Sequence, residues 1–340
     1  MAVKTLLRLA LVRLALAVLA VLPLLAPAAA SARPGESYSY YAIGNLAAAR
    51  SGPTAPALML VGGGDWDYGA FRWFAERAGH GHIVVLRASG EGQAGEEIYS
   101  QVGGVASVQT IVFHSRAAAT DARVLDILAR ADGIFIAGGD QANYVRYWKD
   151  TPVARALDAH VRQGRPIGGT SAGLAILGGT AYGAMDGGSI DSPAALADPG
   201  GPAVTLVTGF LHMPRLAHIV TDTHFAKRDR LGRLVAFVAK ARLRDPRAIG
   251  LGVDEGAALC VEADGSAKLH APPGGHAWLV QPRGTARLRP GRPLDWEGVR
   301  ITGIAPDGGI DLGTLRVTRP AFGGVARVAG GRLIGAPGPK

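Results

Sequence analysis

The sequence predicts an α/β fold in which a mainly parallel sheet carries helices on both faces. Between residues 57 and 168, short apolar runs alternate with segments whose apolar residues recur at helical spacing. That alternation is typical of strand–helix–strand units. Several of the apolar runs end in glycine, which permits a tight turn at a strand end. Beyond residue 265, glycine, proline and arginine separate short alternating runs, which predicts β-hairpins added to the main domain.

The first half of the chain gives the clearest elements. The predicted strands are 57–61, 83–86, 108–113 and 133–137, and the predicted helices are 71–77, 121–130 and 151–163. The last of these helices has Thr151 as its cap and Pro152 at its first position, where proline is favoured. Functional groups of such sheets lie on loops at the carboxyl ends of the strands. We therefore expect the loops 62–64, 138–141 and 169–173 to converge.

The second half is less regular. Residues 181–202 are rich in Gly, Ala, Ser, Asp and Pro, which predicts a surface excursion. Strand character resumes at 206–211, 218–220 and 248–253, and a helix is predicted over 222–240. Residues 33–265 are expected to form the α/β domain. Residues 266–340 are expected to form a hairpin-rich extension whose tail, from about residue 330, is mobile.

Residues 1–32 have the organisation of a secretory signal peptide. Three basic residues precede an apolar run at 14–25, and an Ala-rich A-x-A site follows at 28–32. The run is short for a membrane span, and Pro23 interrupts it. An uncleaved anchor is the alternative. The sequence thus predicts a secreted or periplasmic protein, without a membrane partner once the signal is removed.

Charge and cysteine content exclude some classes of partner and bond. The chain has 36 Lys and Arg against 27 Asp and Glu, a net charge of +9, of which the signal contributes three basic residues. The arginines are scattered, and no basic stripe interleaved with aromatic residues predicts nucleic-acid binding. Cys260 is the only cysteine, so no intramolecular disulfide can form. Its apolar neighbours predict a buried, inert thiol.

Residues 169–173 match the nucleophile-elbow pattern G-x-S-x-G. A serine on a sharp strand-to-helix turn needs small neighbours, because bulk there would bury its hydroxyl. The helix N-terminus that follows favours developing negative charge. Ser171 is therefore the candidate nucleophile, although the five-residue pattern is not specific on its own.

A serine nucleophile needs a base, and the base needs a group that orients it. Among nine histidines, His224 stands between a predicted strand and a predicted helix, at the loop edge of the sheet. Asp254 and Glu255 follow the predicted strand 248–253 at the same edge. A lone histidine at a strand end is commonly a bystander, and paired acids commonly close a strand. The residues alone leave both readings open.

Four stretches, taken together and in order, resemble the cyanophycinase group of serine peptidases, family S51, which is related to aspartyl dipeptidase. They are residues 135–141, 168–173, 222–233 and 249–255. The resemblance covers roughly residues 57–265. It implies a flavodoxin-like α/β sandwich similar to class I glutamine amidotransferases, with serine instead of cysteine at the elbow.

The resemblance also implies roles for the site residues. Ser171 would be the nucleophile, His224 the general base and acid, and Glu255 the residue that orients His224. The backbone amides of Ala172 and Gly64 would stabilise the oxyanion, a task that suits donors fixed in advance. Chemistry of this type implies no cofactor.

Six further positions correspond to the family's substrate site, namely Gln141, Asp222, Thr223, Arg228, Arg230 and Arg233. Guanidinium groups bind carboxylates bidentately, which suits an acidic peptide. The family substrate is a polyaspartate backbone with arginine on each side-chain carboxyl, cleaved to β-aspartyl-arginine dipeptides. Thr223 stands where cyanophycinases have glutamine, so the natural peptide substrate is left open, as is assembly into a homodimer.

Two other functions compete with this one. A secreted esterase of the α/β-hydrolase type would place its acid and histidine after the serine, selecting Asp254 with His270 or His276. A catalytically dead binding protein on the same fold is the second. A metal enzyme is disfavoured because H-E-x-x-H is absent and the His80–His82 cluster is small.

Overall fold

The computed structural model describes residues 37–339. The predicted signal peptide, residues 1–32, lies outside the described residues. Within the described range, no helix combines the length and the apolar character that crossing a membrane requires.

Strands and helices alternate through the first half of this range, and strands dominate its last third. The helices are α1 (Tyr68–Arg77), α2 (Gln93–Glu97), α3 (Ala122–Arg130), α4 (Gln141–Trp148), α5 (Pro152–Arg162), α6 (Ala172–Ala175), α7 (Ser192–Ala197) and α8 (Leu231–Ala241). The strands are β1 (Tyr38–Gly44), β2 (Ala57–Val61), β3 (His82–Arg87), β4 (Ser107–Phe113), β5 (Gly133–Ile136), β6 (Ile167–Thr170), β7 (Thr180–Tyr182), β8 (Leu206–Thr208), β9 (Ile219–Asp222), β10 (Ile249–Val253), β11 (Ala258–Glu262), β12 (Ser266–His270), β13 (Ala277–Arg287), β14 (Asp295–Asp311), β15 (Arg316–Ala329) and β16 (Arg332–Ile334).

The strands of the described part form one hydrogen-bonded network with two parallel groups. The first group runs β4-β3-β5-β6-β2, and the second runs β10-β9-β7. Antiparallel strands β11, β12, β14 and β13 join the two groups. The predicted α/β class, with a mainly parallel central sheet and a β-rich C-terminal extension, is confirmed.

The central strands are buried on both faces, which explains their continuous apolar sequences. In β2, Leu58 and Leu60 pack with α3, α4 and α5, whereas Met59 and Val61 pack with α1. Each side chain of this kind contributes roughly 2 kcal/mol when fully buried. The predicted cap also forms, since the Thr151 hydroxyl accepts the amide hydrogen of Ala154 at 3.5 Å. The core therefore fixes the strand ends on which the loops are mounted.

Several predictions for residues 181–230 are wrong in detail. Asp222 ends β9 and the helix begins only at Leu231, since positive φ angles at His224 (47°) and Asp229 (46°) interrupt any helix there. Strand β8 stops at Thr208, short of the predicted 211. The excursion at 181–202 is not confined to the surface. It contains buried β7 and helix α7, which packs against α8.

The extension is continuous with the sheet. The predicted boundary at 265 falls in the turn of the β11–β12 hairpin, and β13 pairs with β10 of the second parallel group. Within the predicted mobile tail, residues 332–334 form β16, which pairs with β15. No linker therefore separates residues 266–339 from the rest of the described chain.

Candidate active site

Ser171 occupies a sharp turn between β6 and α6. Its φ of +53° and ψ of −117° are rare for a residue with a side chain, as the nucleophile-elbow pattern predicts. A Cβ placed on Gly169 would lie 2.7 Å from the carbonyl carbon of Gly173. A Cβ on Gly173 would lie 2.0 Å from the carbonyl oxygen of Ile136. Only glycine fits at both positions, and the tight turn leaves Ser171 half-buried at the pocket.

His224 lies beside this serine although the two residues are on different parallel groups of the sheet. The Ser171 Oγ is 2.7 Å from His224 Nε2. His224 follows β9, and its backbone amide donates to the carbonyl oxygen of Gly62, after β2, at 2.7 Å. This bond ties the loop of the second group to the end of the first, so the imidazole is held at the serine.

The third residue in the chain of hydrogen bonds is Glu255, which follows β10 with one residue, Asp254, between them. His224 Nδ1 lies 2.6 Å from Glu255 Oε1. An ionised carboxylate only accepts hydrogen bonds, so Nδ1 carries the proton and Nε2 is left to accept the Ser171 hydroxyl. This is the tautomer that a general base at Nε2 requires.

The charge states around His224 suit the same arrangement. Burial lowers the pKa of His224, and the hydrogen bond with Glu255 opposes that shift only in part. Lys227 Nζ is 2.8 Å from Glu255 Oε2, and this contact is the main reason that the pKa of Glu255 is lowered. At neutral pH the imidazole is therefore neutral and the carboxylate is ionised.

Asp254, the other acid of the predicted pair, has a structural role. It accepts hydrogen bonds from the amides of Ala226 and His276 and from the Trp278 indole, at 2.9–3.0 Å. The histidines of the esterase alternative lie elsewhere: His276 Nδ1 is 3.7 Å from Asp254, and His270 Nδ1 is 3.8 Å from Asp67. The structure assembles Ser171 with His224 and Glu255 rather than with either of these.

The two predicted oxyanion donors lie in different surroundings. Ala172 follows Ser171 and lines the pocket, and its amide hydrogen has no acceptor within residues 37–339. Gly64 lies beside Glu255, whose Cβ would be 3.1 Å from a Cβ placed there, and it is not part of the pocket lining. Its role as an oxyanion donor stays a prediction. Gly139 lines the pocket, and a Cβ on the preceding Gly138 would lie 3.4 Å from the Ser171 Cβ. The loop at Gly138 and Gly139 therefore lies beside the serine as well, and its amides are further candidates for the second oxyanion donor.

A pocket opens at Ser171 and His224. Besides these two, its lining comprises Gly139, Asp140, Gln141, Ala172, Ala184, Gly188, Ser189, Thr223, Arg228 and Arg230. Gln141, Thr223, Arg228 and Arg230 therefore lie where the sequence predicts a substrate site. Their role as substrate ligands stays a prediction.

Asp222 and Arg233 lie behind the pocket wall, which corrects the expectation that they contact substrate. Both are almost completely buried, and Arg233 Nε donates to Asp222 Oδ2 at 2.8 Å in a bidentate pair. Arg230 also approaches Asp222, at 3.7 Å, and donates to the Thr223 carbonyl and hydroxyl oxygens. Burial lowers the pKa of Arg230 to about 10, so it stays protonated at neutral pH. Two guanidinium groups thus share one carboxylate at the pocket wall.

Sequence reasoning missed the contributions of residues 184–192 and of Lys227. Ser189 Oγ accepts a hydrogen bond from Arg233 at 2.7 Å and lies 3.5 Å from Arg230, and Ala184 and Gly188 line the pocket. Composition alone predicts a loop for this segment, because its serine and glycine residues show neither helical nor strand periodicity. Elsewhere, no three His, Cys, Asp or Glu side chains between residues 37 and 339 are grouped so that they could hold a metal ion.

Comparisons with known proteins place this geometry in context. Residues 95–269, just over half of the chain, match the family model described as peptidase family S51. A cyanophycinase from Synechococcus elongatus is 33% identical over 217 residues, which are 62% of this chain and 62% of that protein. A cyanophycinase from Trichormus variabilis is 29% identical over 223 residues, 62% of this chain and 70% of that protein. The solved structure of a peptidase from an acI-B1 Actinobacterium superposes with a TM-score of 0.48 and 17% identity, over 67% of this chain and 92% of that one. The chain thus spans about 62% of the length of the Synechococcus relative.

Proposed function

This chain belongs to peptidase family S51, and we propose that it is an exported serine exopeptidase that hydrolyses aspartyl or β-aspartyl peptide bonds. The observation that carries the proposal is the chain of short hydrogen bonds from Ser171 through His224 to Glu255. The names of the relatives suggest cyanophycin as a substrate. The family resemblance implies that its cleavage would release β-aspartyl-arginine dipeptides.

The proposed reaction proceeds through an acyl-enzyme. Ser171 Oγ attacks the scissile carbonyl carbon while its proton passes to His224 Nε2. The Ala172 and Gly139 amides donate to the carbonyl oxygen as it becomes negative. His224 then gives its proton to the leaving amine, and the C–N bond breaks. A water molecule attacks the ester in the same way, returning the proton to Ser171 and releasing the acid. Glu255 stabilises the imidazolium in both halves.

The charge of the pocket supports an acidic substrate. Arg230 lines it, Arg228 is exposed at it, and the nearby carboxylate of Asp222 already serves Arg233. Asp140 also lines the pocket, where it accepts the Ala142 amide hydrogen at 2.9 Å and caps α4. We infer that the positive charge of Arg228 and Arg230 is only partly offset by the protein, so that a substrate carboxylate can bind there. Thr223 Oγ1 accepts from Arg230 at 3.1 Å, so the residue that departs from the cyanophycinase pattern holds a cation of the pocket.

Purified protein incubated with cyanophycin and with a panel of β-aspartyl dipeptides tests the proposal. We expect release of dipeptides or amino acids, lost in Ser171→Ala and kept in Ser51→Ala, a matched change at an exposed serine. Equal turnover by Ser171→Ala would overturn the mechanism. Hydrolysis of short esters without any peptide cleavage would favour the esterase. Failure of a fluorophosphonate to label Ser171 in folded protein would favour the other alternative, a catalytically dead binding protein.

Export is the part of the proposal that rests on the sequence of residues 1–32 alone. Cell fractionation with N-terminal sequencing tests it. We expect a mature chain that begins near residue 33, outside the cytoplasm. A full-length chain in the cytoplasmic fraction would contradict export and leave the peptidase proposal standing.

A further inference from the structure

The positive charge of the protein is concentrated in its C-terminal extension. Residues 266–340 contain 11 Lys and Arg against 4 Asp and Glu, whereas residues 33–265 contain 22 against 23. The extension therefore carries a net charge of +7, and the preceding domain carries −1. Most of the extension also lies outside the segment matched by the family model, which ends at residue 269.

Strand register places many of these arginines on one face of the sheet formed by β13, β14, β15 and β16. One face packs into the core, with Val299 opposite Ala326 and both buried. Side chains alternate along strands, so Arg300 and its partner Val325 point the other way, to solvent. The arginine face comprises Arg283, Arg287, Arg300, Arg327 and Arg332 on the strands and Arg289 and Arg292 in the loop between β13 and β14.

The arginines of this face lack ionic partners. None of the seven forms an ion pair with another residue in the range 37–339, and all are exposed. The two acids on the same face are engaged by backbone. Asp295 accepts the Gly330 amide at 2.7 Å, and Glu297 accepts the Thr285 amide at 3.4 Å. The face therefore presents guanidinium groups that an external anion can bind.

Apolar side chains on the same face indicate what kind of anion. Val325 is 55% exposed and Ile334 is 39% exposed, so two large aliphatic side chains stand in solvent among the arginines. Val325 is two residues from Arg327 on β15, and Ile334 pairs with Arg327 across β15 and β16. Arginine beside exposed aliphatic side chains suits the surface of a lipid bilayer, where phosphate groups lie next to acyl chains. No exposed aromatic side chain on these four strands offers a stacking platform for bases.

We propose that the arginine face docks the protein on an anionic lipid surface. The guanidinium groups bind lipid phosphates, and Val325 and Ile334 enter the boundary between headgroups and acyl chains. This face shares no residue with the pocket at Ser171, so binding leaves the pocket unblocked by the same side chains. The proposal departs from the expectation, drawn from sequence, that the protein without its signal has no membrane partner.

Vesicle co-sedimentation tests the proposal on the full chain. The probes are phosphatidylcholine vesicles with and without phosphatidylglycerol, and the test variant is Arg300→Gln with Arg327→Gln and Arg332→Gln. We expect binding that depends on phosphatidylglycerol, falls at high salt and weakens about 10-fold or more in the variant, since each arginine near an anionic surface contributes appreciably. Val325→Ser with Ile334→Ser should weaken binding while keeping the salt dependence.

The matched control changes three exposed arginines elsewhere, Arg72, Arg146 and Arg155, to Gln. This control variant loses as much positive charge as the test variant, but it keeps the arginine face and the N-terminal residues unchanged. It should therefore bind like the unmodified chain. Equal weakening in both triple variants, or binding indifferent to phosphatidylglycerol, would overturn the proposal. So would tight binding to duplex DNA without binding to vesicles. Peptidase activity plays no part in these readouts, so they stand apart from the proposed function.

Discussion

Adjacent acids after β10 receive different tasks from their surroundings. Asp254 is buried and accepts three N–H groups, so it holds the β10 end against the loop at Ala226 and against β13. Glu255 points one oxygen at His224 and the other at Lys227. Their adjacent positions in the sequence do not distinguish the two roles, whereas the hydrogen-bond donors around each carboxylate do.

Glu255→Gln should lower kcat by roughly 10² to 10⁴, because a neutral amide does not stabilise the imidazolium. Steady-state kinetics on the best substrate measures the loss. Asp254→Asn is the matched change one residue away. It should lower the melting temperature, because an amide presents an N–H₂ group to one of the three donors, and leave kcat per folded molecule within a few-fold. The reverse pattern would exchange the two roles.

The acidic limb of the activity profile should follow His224. Burial lowers the pKa of this imidazole below its usual value of about 6.5. The protonated ring cannot accept the Ser171 proton, so kcat/KM should fall as pH falls through that lowered pKa and be level above it. A limb with its midpoint well above pH 6.5 would contradict the assignment of His224 as base.

Tyr144 is expected to position one oxyanion donor. Its buried hydroxyl donates to the Ala137 oxygen at 2.7 Å and lies 3.3 Å from the Gly138 oxygen. In a trans peptide the Gly139 N–H points in the direction opposite to the Gly138 carbonyl. Because the Gly138 carbonyl oxygen is held towards Tyr144, the Gly139 N–H points away from Tyr144. Tyr144→Phe should lower kcat about 10-fold with little change in KM. Tyr40→Phe, which removes a hydroxyl bonded to Gln109, is the control, and an equal loss there would show a general effect of the removed hydroxyl.

At the scale of elements, the segment from β7 to α7 forms one wall of the pocket. Ser189 receives Arg233 and lies near Arg230, and Ser192 accepts the Arg233 amide at 3.1 Å. Loops that carry function on a rigid scaffold are the parts that vary most readily between relatives. We therefore expect this segment to set the specificity of the pocket.

Ser189→Ala should raise KM by about 3- to 10-fold and leave kcat nearly unchanged, since the arginines lose a hydrogen-bond acceptor worth roughly 1 kcal/mol. Ser189→Thr keeps the hydroxyl and should restore most of the affinity. Kinetics with an acidic and an uncharged substrate separates the effects, because only the acidic substrate depends on the arginines. An unchanged KM would place substrate binding away from Ser189.

At the scale of the whole molecule, the extension is part of the fold. β12 and β13 pair with β11 and β10, and the amide of His276 and indole of Trp278 are two of the donors that satisfy buried Asp254. Deleting residues 266–340 should abolish soluble, cooperatively folding protein, because it exposes two strand edges and leaves Asp254 short of donors. Deleting 335–340, beyond β16, should be tolerated. Circular dichroism melts distinguish the two, and a stable truncated domain would contradict the prediction.

Local patterns explain which residues could be predicted from the sequence. Ser171 lies in a five-residue motif, and His224 and Glu255 each lie two positions beyond the last residue of a strand, β9 or β10. The burial of Asp222 and Arg233 cannot be predicted in this way, because neither motif nor helical spacing reveals which guanidinium is buried. Nor does the sequence say which of several glycine loops supplies the second oxyanion donor.

The arginine face shows the same limit at larger range. Arg300, Arg327 and Arg332 are scattered along the chain, and only the pairing of β14, β15 and β16 brings them to one surface. Counting charges along the sequence cannot reveal such a surface. Which residues pair across neighbouring strands depends on bulges such as the one between Ile304 and Gly309 of β14.

The pairing of β2 with β11 bears on when the protein becomes active during its synthesis. Val61 pairs with Ala258, and His224 is tied to Gly62 at the end of β2, so segments far apart in the sequence meet at the site. Contacts this distant in sequence form late, since the intervening chain must first be ordered. An emerging chain therefore exposes Ser171 long before His224 and Glu255 can join it. The nascent polypeptide carries the proposed nucleophile without its proposed base, so we expect it to stay inert until His224 and Glu255 have been synthesised and folded into place.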